Sequence, residues 1–501
     1  MSLLEARLLL AARQRPDAPL LHIGPRTLTG RDFEALVDHT ARQWQQQGLG
    51  AGDFIGWLGH NSAEMLAALL ACARLGAVFV PINWRLAAPE LAAIARHAGL
   101  SALRNTPELQ GLADAVRQLA PPTGPAEQAK AGDVMLVYTS GTTGDPKGAM
   151  HSQAGMVANI DMALAVQGLS AADRVLGVLP MFHVGGLCIQ ALPALAVGAP
   201  LRLQARFDAA DWLHEVATWR PSTSLLVPAV MQALLAQPGW AAADLSSLRF
   251  VNSGSQVVPL ALIHAFHARG LPVTQVYGST ETGPVSIALL PGEALAQAGS
   301  VGRPAPGVRL RLMVGPGLEA VPGQVGEIQL QAPNLMRGYH RQPAGAGFDA
   351  GWFATGDLAR ADAAGHITVV GRSKDLIISG GENIHPAEIE NLAITWPGVA
   401  DAAVVGLPDA RWGEVPVLVL VAQPGQAVDL AGLQDLFDQQ LARFKHPQQT
   451  LLRNALPRTA LGKVQKAVLA ASLLAPQPGG DRATSVAGAA AAGASPGPIG
   501  G

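Results

Sequence analysis

The segment Tyr138-Thr139-Ser140-Gly141-Thr142-Thr143-Gly144-Asp145-Pro146-Lys147-Gly148 packs four aliphatic hydroxyls, three glycines and a lysine into eleven residues. Glycine lets backbone N–H groups approach an anion closely, while hydroxyls and an ammonium add donors and positive charge. That donor set suits a polyphosphate. It is not a Walker A loop, because Pro146 stands where a glycine would have to precede the lysine. An ordinary Ser/Thr/Gly turn is the bland alternative, and the density of donors argues against it. Other side chains that could do chemistry lie further along: Thr280, Glu281, Asp357, Arg372 and Lys463. His183 adds an imidazole within Pro180-Met181-Phe182-His183-Val184-Gly185-Gly186. Taken singly, a carboxylate or lysine is usually a solvated charge, and a histidine among apolar residues is more often a packed one.

Context reverses that expectation. After the loop come, in order, Tyr277-Gly278-Ser279-Thr280-Glu281-Thr282, Thr355-Gly356-Asp357, Gly371-Arg372-Ser373-Lys374-Asp375, Ile378-Ser379-Gly380-Gly381-Glu382-Asn383-Ile384 and Pro457-Arg458-Thr459-Ala460-Leu461-Gly462-Lys463. Together with the loop, these motifs resemble the ordered set of the adenylate-forming superfamily, which includes acyl- and aryl-CoA synthetases, peptide-synthetase adenylation domains and firefly-type luciferases. The resemblance covers residues 10 to 472 and is nearest to the acyl- and aryl-CoA synthetase branch.

What the resemblance implies is an enzyme that activates a carboxylic acid with ATP as an acyl-adenylate and passes the acyl group to coenzyme A. Thr139, Ser140, Gly141, Thr142, Thr143 and Lys147 would hold phosphates, with Tyr277 and Gly278 in the second nucleotide motif. Glu281 would hold Mg²⁺, a hard cation that bridges phosphates. Thr280 would address the α-phosphate. Asp357, acceptor-only when ionised, would receive ribose hydroxyls, and Arg372 would add ribose or phosphate contacts. Lys463 would meet the join between the carboxylate and the α-phosphate, where negative charge grows. Lys374 stands at the family's hinge, about which a C-terminal domain would rotate between the two half-reactions. Gly380 and Gly381 would then line the path of the thiol. Trp412 and Phe444 offer flat surface to the coenzyme, with Arg411, Lys445 and His446 near its phosphates. Gln448 and Gln449 depart from the usual basic residues there.

The resemblance places the acyl pocket around His183, Val184, Gly185, Gln256 and Ser279, with His183 as its gate. Gly185 and Gly186 leave room for a sizeable acyl group. No aspartate occurs from Met181 to Leu187 to hold a substrate amine, so an amino acid does not fit. Gln256 stands in a loop that the family fills with Gly and Ala. It either recognises a polar group on the acid or reshapes the wall. The reading favours a medium-chain fatty acid or an aromatic acid such as a benzoate or hydroxycinnamate.

These residues need a scaffold. The 501 residues exceed what one core supports. Hydrophobic residues make up 49% and charged ones 14%, as in a well-buried globular chain. Short apolar runs at Asp53–Leu58, Ala77–Pro81, Val134–Tyr138, Val175–Leu179, Ser224–Val227, Leu248–Val251 and Val273–Val276 read as strands alternating with helices such as Ser62–Arg74, capped by Asn61 or Ser62. In open parallel sheets ligands sit beyond strand C-termini, which would gather these loops at one site. Val308–Met313 and Glu327–Gln331 alternate as β structure. The expected fold is α/β, with a large N-terminal domain of α/β subdomains and a small β-rich subdomain (1–371), then a small mobile α+β domain (372–475). Residues 476–501, rich in Ala, Gly, Pro and Ser, read as a disordered tail.

A formal net charge of −2 without basic runs points away from nucleic acid. Arg74 and Pro81 interrupt the apolar stretch Met65–Val80, so no membrane span is expected. Glu5 and Arg7 interrupt the early leucines, so an amphipathic helix ending near Pro16 reads better than a signal peptide. Cys72 and Cys188 read as buried small hydrophobes, suiting a reducing cytoplasm. Oligomeric state stays open, a homodimer included. Two rival functions remain: an acyl-AMP ligase that loads a carrier protein, and a catalytically silent nucleotide-binding module.

Overall fold

Contiguous apolar runs become strands covered on both faces. The computed structural model describes residues 1–122, 129–139, 146–343, 345–380, 382–459 and 463–475. Ser140, Gly141, Thr142, Thr143, Gly381 and the tail 476–501 lie outside the described residues. The chain divides after Val369 into two compact units.

Among the described residues, the first unit holds sheets of nine, six and six strands. In one six-stranded sheet Ala102–Asn105, Phe54–Leu58, Val78–Ile82 and Asp133–Thr139 run parallel; Lys147–Ser152 and Gly338–Tyr339 complete it in antiparallel sense. Side chains alternate between its faces. Ile55, Trp57 and Phe79 enter a core shared with the helices Leu3–Gln14, Gly30–Gln46, Ala63–Leu75 and Gln153–Gln167. Phe54, Leu58, Val78 and Val80 enter another beneath Ala88–Ala98 and Gln110–Leu119. A strand buried on both faces must be apolar throughout, which is how Phe-Ile-Gly-Trp-Leu reads.

The nine-stranded sheet packs Leu21, Val175 and Leu201 against that shared helix layer. Its outer face is covered by Ala209–Thr218, Pro228–Leu235 and Leu260–His267 through Trp212, Met231 and Ile263. Its central strands Leu201–Leu203, Val175–Gly177, Thr223–Leu226, Phe250–Gly254 and Val273–Tyr277 are parallel. The third sheet, built on Arg309–Gly315, Gly326–Gln331 and Trp352–Ala361 in antiparallel pairing, is the expected β-rich subdomain. The second unit pairs Val399–Asp409, Gly413–Ala422, Ile377–Ser379 and Glu382–Ile384, with Gln449–Leu452 beside Gly413–Ala422. The helices Pro386–Ala393 and Leu430–Gln440 pack on one face of this sheet, and Leu469 of Lys466–Leu474 lies in the core on the other.

Three local differences from the sequence reading matter. Both large sheets of the first unit are mixed rather than purely parallel, so the glycine-rich loop returns through a strand, Thr139 pairing with Lys147. Ser62 caps the helix Ala63–Leu75 by accepting from the Met65 N–H, whereas Asn61 is buried and does other work. Leu248–Val251 shifts, the strand starting at Phe250. Cys72 and Cys188 are both buried, which pushes their thiols well up and leaves them inert. Among the described residues no helix is long and apolar enough to cross a membrane.

Candidate active site

Three strand ends bring the polar groups of the first unit together. Val273–Tyr277 ends on Tyr277, whose Oη donates to Asp357 Oδ2 at 2.8 Å. The Asp357 turn is itself fixed: the Gly356 N–H donates to Glu327 Oε1 at 3.0 Å and the Asp357 N–H to Thr355 Oγ1 at 3.1 Å. After Tyr277 the chain turns tightly. The Ser279 N–H donates to Thr282 Oγ1 at 2.8 Å, and a Cβ on Gly278 would stand 2.3 Å from the Pro284 carbonyl. Only glycine allows that approach, which presents Ser279, Thr280 and Glu281 at the end of the strand.

Glu281 is oriented by Tyr339, whose Oη donates to Oε1 at 3.0 Å. Burial, and then the Glu281 charge, push the Tyr339 phenol well above its usual range, keeping it a donor. His151, 1% exposed, hydrogen-bonds the Thr280 backbone, while its Nε2 is buried without a partner among the described residues. Burial lowers the His151 pKa to about 4, so the ring is neutral. Lys147 begins the strand Lys147–Ser152 that carries His151, and Tyr339 pairs with Ala149 of the same strand. Thr139 Oγ1 donates to the Lys147 carbonyl at 3.4 Å, closing the base of the loop. Thr139, Lys147, Tyr277, Gly278, Thr280, Glu281 and Asp357 are therefore joined through adjoining strands and two tyrosine hydrogen bonds.

The Pro180–Gly186 segment forms a second wall. Its anchor is Asn61: Oδ1 accepts the Met181 N–H at 2.8 Å, and Nδ2 donates to the carbonyls of Leu179 (3.0 Å) and Gln204 (3.1 Å). His183, half-buried, stacks on Phe182 with ring centroids 4.4 Å apart. Val184 is buried in the main core. The two glycines differ. A Cβ on Gly186 would stand 2.3 Å from the Pro180 carbonyl, so this glycine serves backbone packing. Among the described residues, one on Gly185 would meet only Ser255 Oγ, at 3.7 Å. Of the pair, Gly185 alone leaves space. Ser255, at φ +70°, holds the left-handed conformation just before Gln256, a local strain of the kind that gathers at ligand sites.

Sequence reasoning missed a cationic and aromatic cluster beside this wall. The guanidinium carbons of Arg85 and Arg206 lie 4.9 and 4.8 Å from the Trp84 ring centroid, and Trp84 meets Phe182 edge-on at 6.4 Å. Arg206 Nε donates to His60 Nε2 at 3.1 Å. Burial, and then the Arg206 charge, lower the His60 pKa and hold that ring neutral. Asn-Trp-Arg after a strand could have flagged Trp84 and Arg85, but Arg206 lies 121 positions further on than Arg85 (206 − 85).

In the second unit, Arg372 ends Ile367–Arg372 and Lys374 lies in the turn Ser373–Asp375. Gly380, at φ +59°, packs directly on Trp412; its N–H donates to the Trp412 carbonyl at 2.8 Å, and a Cβ there would stand 2.6 Å from the indole ring. Trp412 and Phe444 are 43% and 44% exposed. Arg411 stacks over Trp412 at 4.7 Å, whereas Lys445 is engaged by Glu388 at 2.8 Å. Lys463 pairs with Thr459: the Thr459 N–H donates to its carbonyl at 2.8 Å, and its own N–H to Thr459 Oγ1 at 3.2 Å.

Comparison with known proteins identifies the family. The AMP-binding enzyme family matches residues 9–340, and the AMP-binding enzyme C-terminal domain matches residues 388–463. The chain is 41% identical over 480 residues to the indoleacetate–CoA ligase of Aromatoleum aromaticum, covering 90% of this chain and 94% of that one. It is 38% identical over 471 residues to a feruloyl-CoA synthase of Amycolatopsis, covering 91% and 96%. The structure of the Bacillus subtilis o-succinylbenzoate CoA synthetase with its acyl-adenylate intermediate matches at a TM-score of 0.82 and 30% identity, over 95% of this chain and 99% of that one. The chain belongs to the AMP-binding enzyme family and, within it, to the AMP-forming acid–thiol ligases.

Proposed function

We propose that this ligase converts an aromatic carboxylic acid, ATP and coenzyme A into the aryl-CoA thioester, AMP and pyrophosphate. The observation that carries the nucleotide chemistry is the linkage of Lys147, Glu281 and Asp357 through Tyr339 and Tyr277. In the first step a carboxylate oxygen bonds to the α-phosphorus and pyrophosphate leaves. Two anions meet, so cationic and donor groups must neutralise the charge that develops. Lys147 and Thr280 serve the phosphates, Asp357 the ribose, and Lys463 the joining oxygens. In the second step the thiol sulfur bonds to the acyl carbon, the thiol proton is lost and AMP leaves.

Magnesium belongs to this reading. Among the described residues no cluster of three or more His, Cys, Asp or Glu could build a protein-only metal cage. A single oriented carboxylate plus substrate phosphates is how Mg²⁺ is ordinarily held, and Glu281 with its tyrosine partner fits that role. Bound there, the ion would neutralise phosphate charge.

The aromatic assignment rests on the open side of Gly185 facing Ser255 and on relatives named for indoleacetate and ferulate. CoA-dependent AMP formation across indoleacetate, ferulate, benzoate and straight-chain acids of six to ten carbons tests it. Aryl acids should lead in kcat/KM, and a straight-chain acid leading would overturn the assignment. Coenzyme A as acceptor is supported by the Trp84, Arg85 and Arg206 cluster, which offers two cations to the phosphates of the coenzyme. Arg206→Ala should raise KM for coenzyme A about tenfold and leave ATP–pyrophosphate exchange at its parent rate. A chain that turns over with a carrier protein but not with free coenzyme A would favour the rival acceptor.

A further inference from the structure

The chain has three tyrosines, Tyr138, Tyr277 and Tyr339, and each lies on an element of the proposed nucleotide site. Tyr138 opens the loop and bonds His97 Nδ1 at 2.8 Å, and Tyr277 holds Asp357. The third has a different setting. Asn334–Tyr339 runs as a brace along the turn that carries Glu281. Asn334 Nδ2 donates to the carbonyls of Gly283 and Val285, both at 3.1 Å, and the Met336 N–H donates to the Glu281 carbonyl at 2.8 Å. The brace then pairs with the strand leaving the glycine-rich loop: Tyr339 lies opposite Ala149, and the His340 N–H donates to the Gly148 carbonyl at 2.8 Å. Tyr339 therefore stands where the loop strand and the Glu281 turn are tied together, and its hydroxyl reaches the carboxylate itself. His151, on that same strand, bonds the Thr280 backbone.

From this geometry we infer that Tyr339 is a positioning residue for the metal-bearing carboxylate: it fixes one oxygen of Glu281, and so the direction in which the other meets a phosphate-borne Mg²⁺, and it sets that direction in register with Lys147. The inference rests on the reading of Glu281 as the Mg²⁺ carboxylate. A phenol suits the task because it donates one hydrogen bond and brings no charge to compete with the cation. Its ring is anchored independently, packing with Ala149, Met336, Phe348 and Phe353. Tyr339→Phe consequently removes the hydroxyl and leaves the packing.

The test is ATP binding to the full chain by calorimetry, with Mg²⁺ titrated and again in excess chelator, for the parent, Tyr339→Phe, Glu281→Gln and the double variant. Loss of a group that orients a metal ligand costs about 10- to 100-fold in metal affinity. Tyr339→Phe should therefore need about tenfold more Mg²⁺ for the same gain in ATP affinity. Its chelator-only affinity and melting temperature should match the parent, and it should add nothing on the Glu281→Gln background. A parent-like Mg²⁺ dependence, an equal loss in chelator, or a further loss in the double variant would each overturn the role. Should Glu281→Gln alone keep the parent's Mg²⁺ dependence, the reading of Glu281 fails and the proposal falls with it.

Discussion

Replacing Lys463 with alanine is expected to slow pyrophosphate release from acid plus ATP by about 10²- to 10³-fold, the usual consequence of deleting a group aimed at developing charge. Thioester formation from supplied acyl-adenylate should continue near the parent rate. The reason is local. Lys463 is tethered by its backbone, through the two hydrogen bonds with Thr459, and alanine keeps both the N–H and the carbonyl that make them. In the proposed reaction the Lys463 ammonium serves the step in which two anions combine, and no such encounter occurs when a neutral thiol attacks an activated carbonyl. Separate assays of the half-reactions decide the matter, and equal losses in both would contradict the division of labour.

Gly380→Ala should do the reverse. At φ +59° an alanine is strained by about 1 kcal/mol, but the larger effect is steric, because the new methyl would stand 2.6 Å from the Trp412 indole. The ring must move, and Trp412 is the flat face assigned to the coenzyme. Displacement of a positioning surface by an ångström costs up to about 100-fold, and here it should fall on thioester formation from supplied adenylate. Pyrophosphate release from acid plus ATP should stay at the parent rate. If both half-reactions slow together, the glycine supports the unit as a whole rather than the thiol step.

Much of the scaffold was legible because burial on both faces demands unbroken apolar runs. Phe54–Leu58 and Val273–Tyr277 emerge within a residue or so of their expected bounds for that reason. Lys147–Ser152 was not legible. Its residues Lys, Gly, Ala, Met, His and Ser carry no alternation, and its strand character comes from pairing with Asp133–Thr139 and Gly338–Tyr339. The same gap hid Tyr339 and His151, whose meaning depends on register in a two-residue strand and on a partner 58 positions away in the case of Tyr339 and Glu281. Motif order named Glu281 and Asp357 but could not show what holds them. Glycine type alone could not separate Gly185, which leaves space, from Gly186, which closes against a carbonyl; only the neighbours do that.

The antiparallel return of the chain from Thr139 to Lys147 carries a consequence for the end of the first step. Where a phosphate loop runs into a helix, the aligned peptide dipoles keep pulling on the anion whatever else has left the site. Here the loop runs into a strand, and strand dipoles nearly cancel. In the proposed reaction, retention of the phosphates then depends on local donors, the Lys147 ammonium among them. Once the bond to the α-phosphorus of the proposed reaction has broken, pyrophosphate leaves a seat whose hold comes from such local donors and not from the dipole of a helix that follows the loop. In the proposed reaction, a strand at that position therefore lets the departing anion go more readily than a helix N-terminus would.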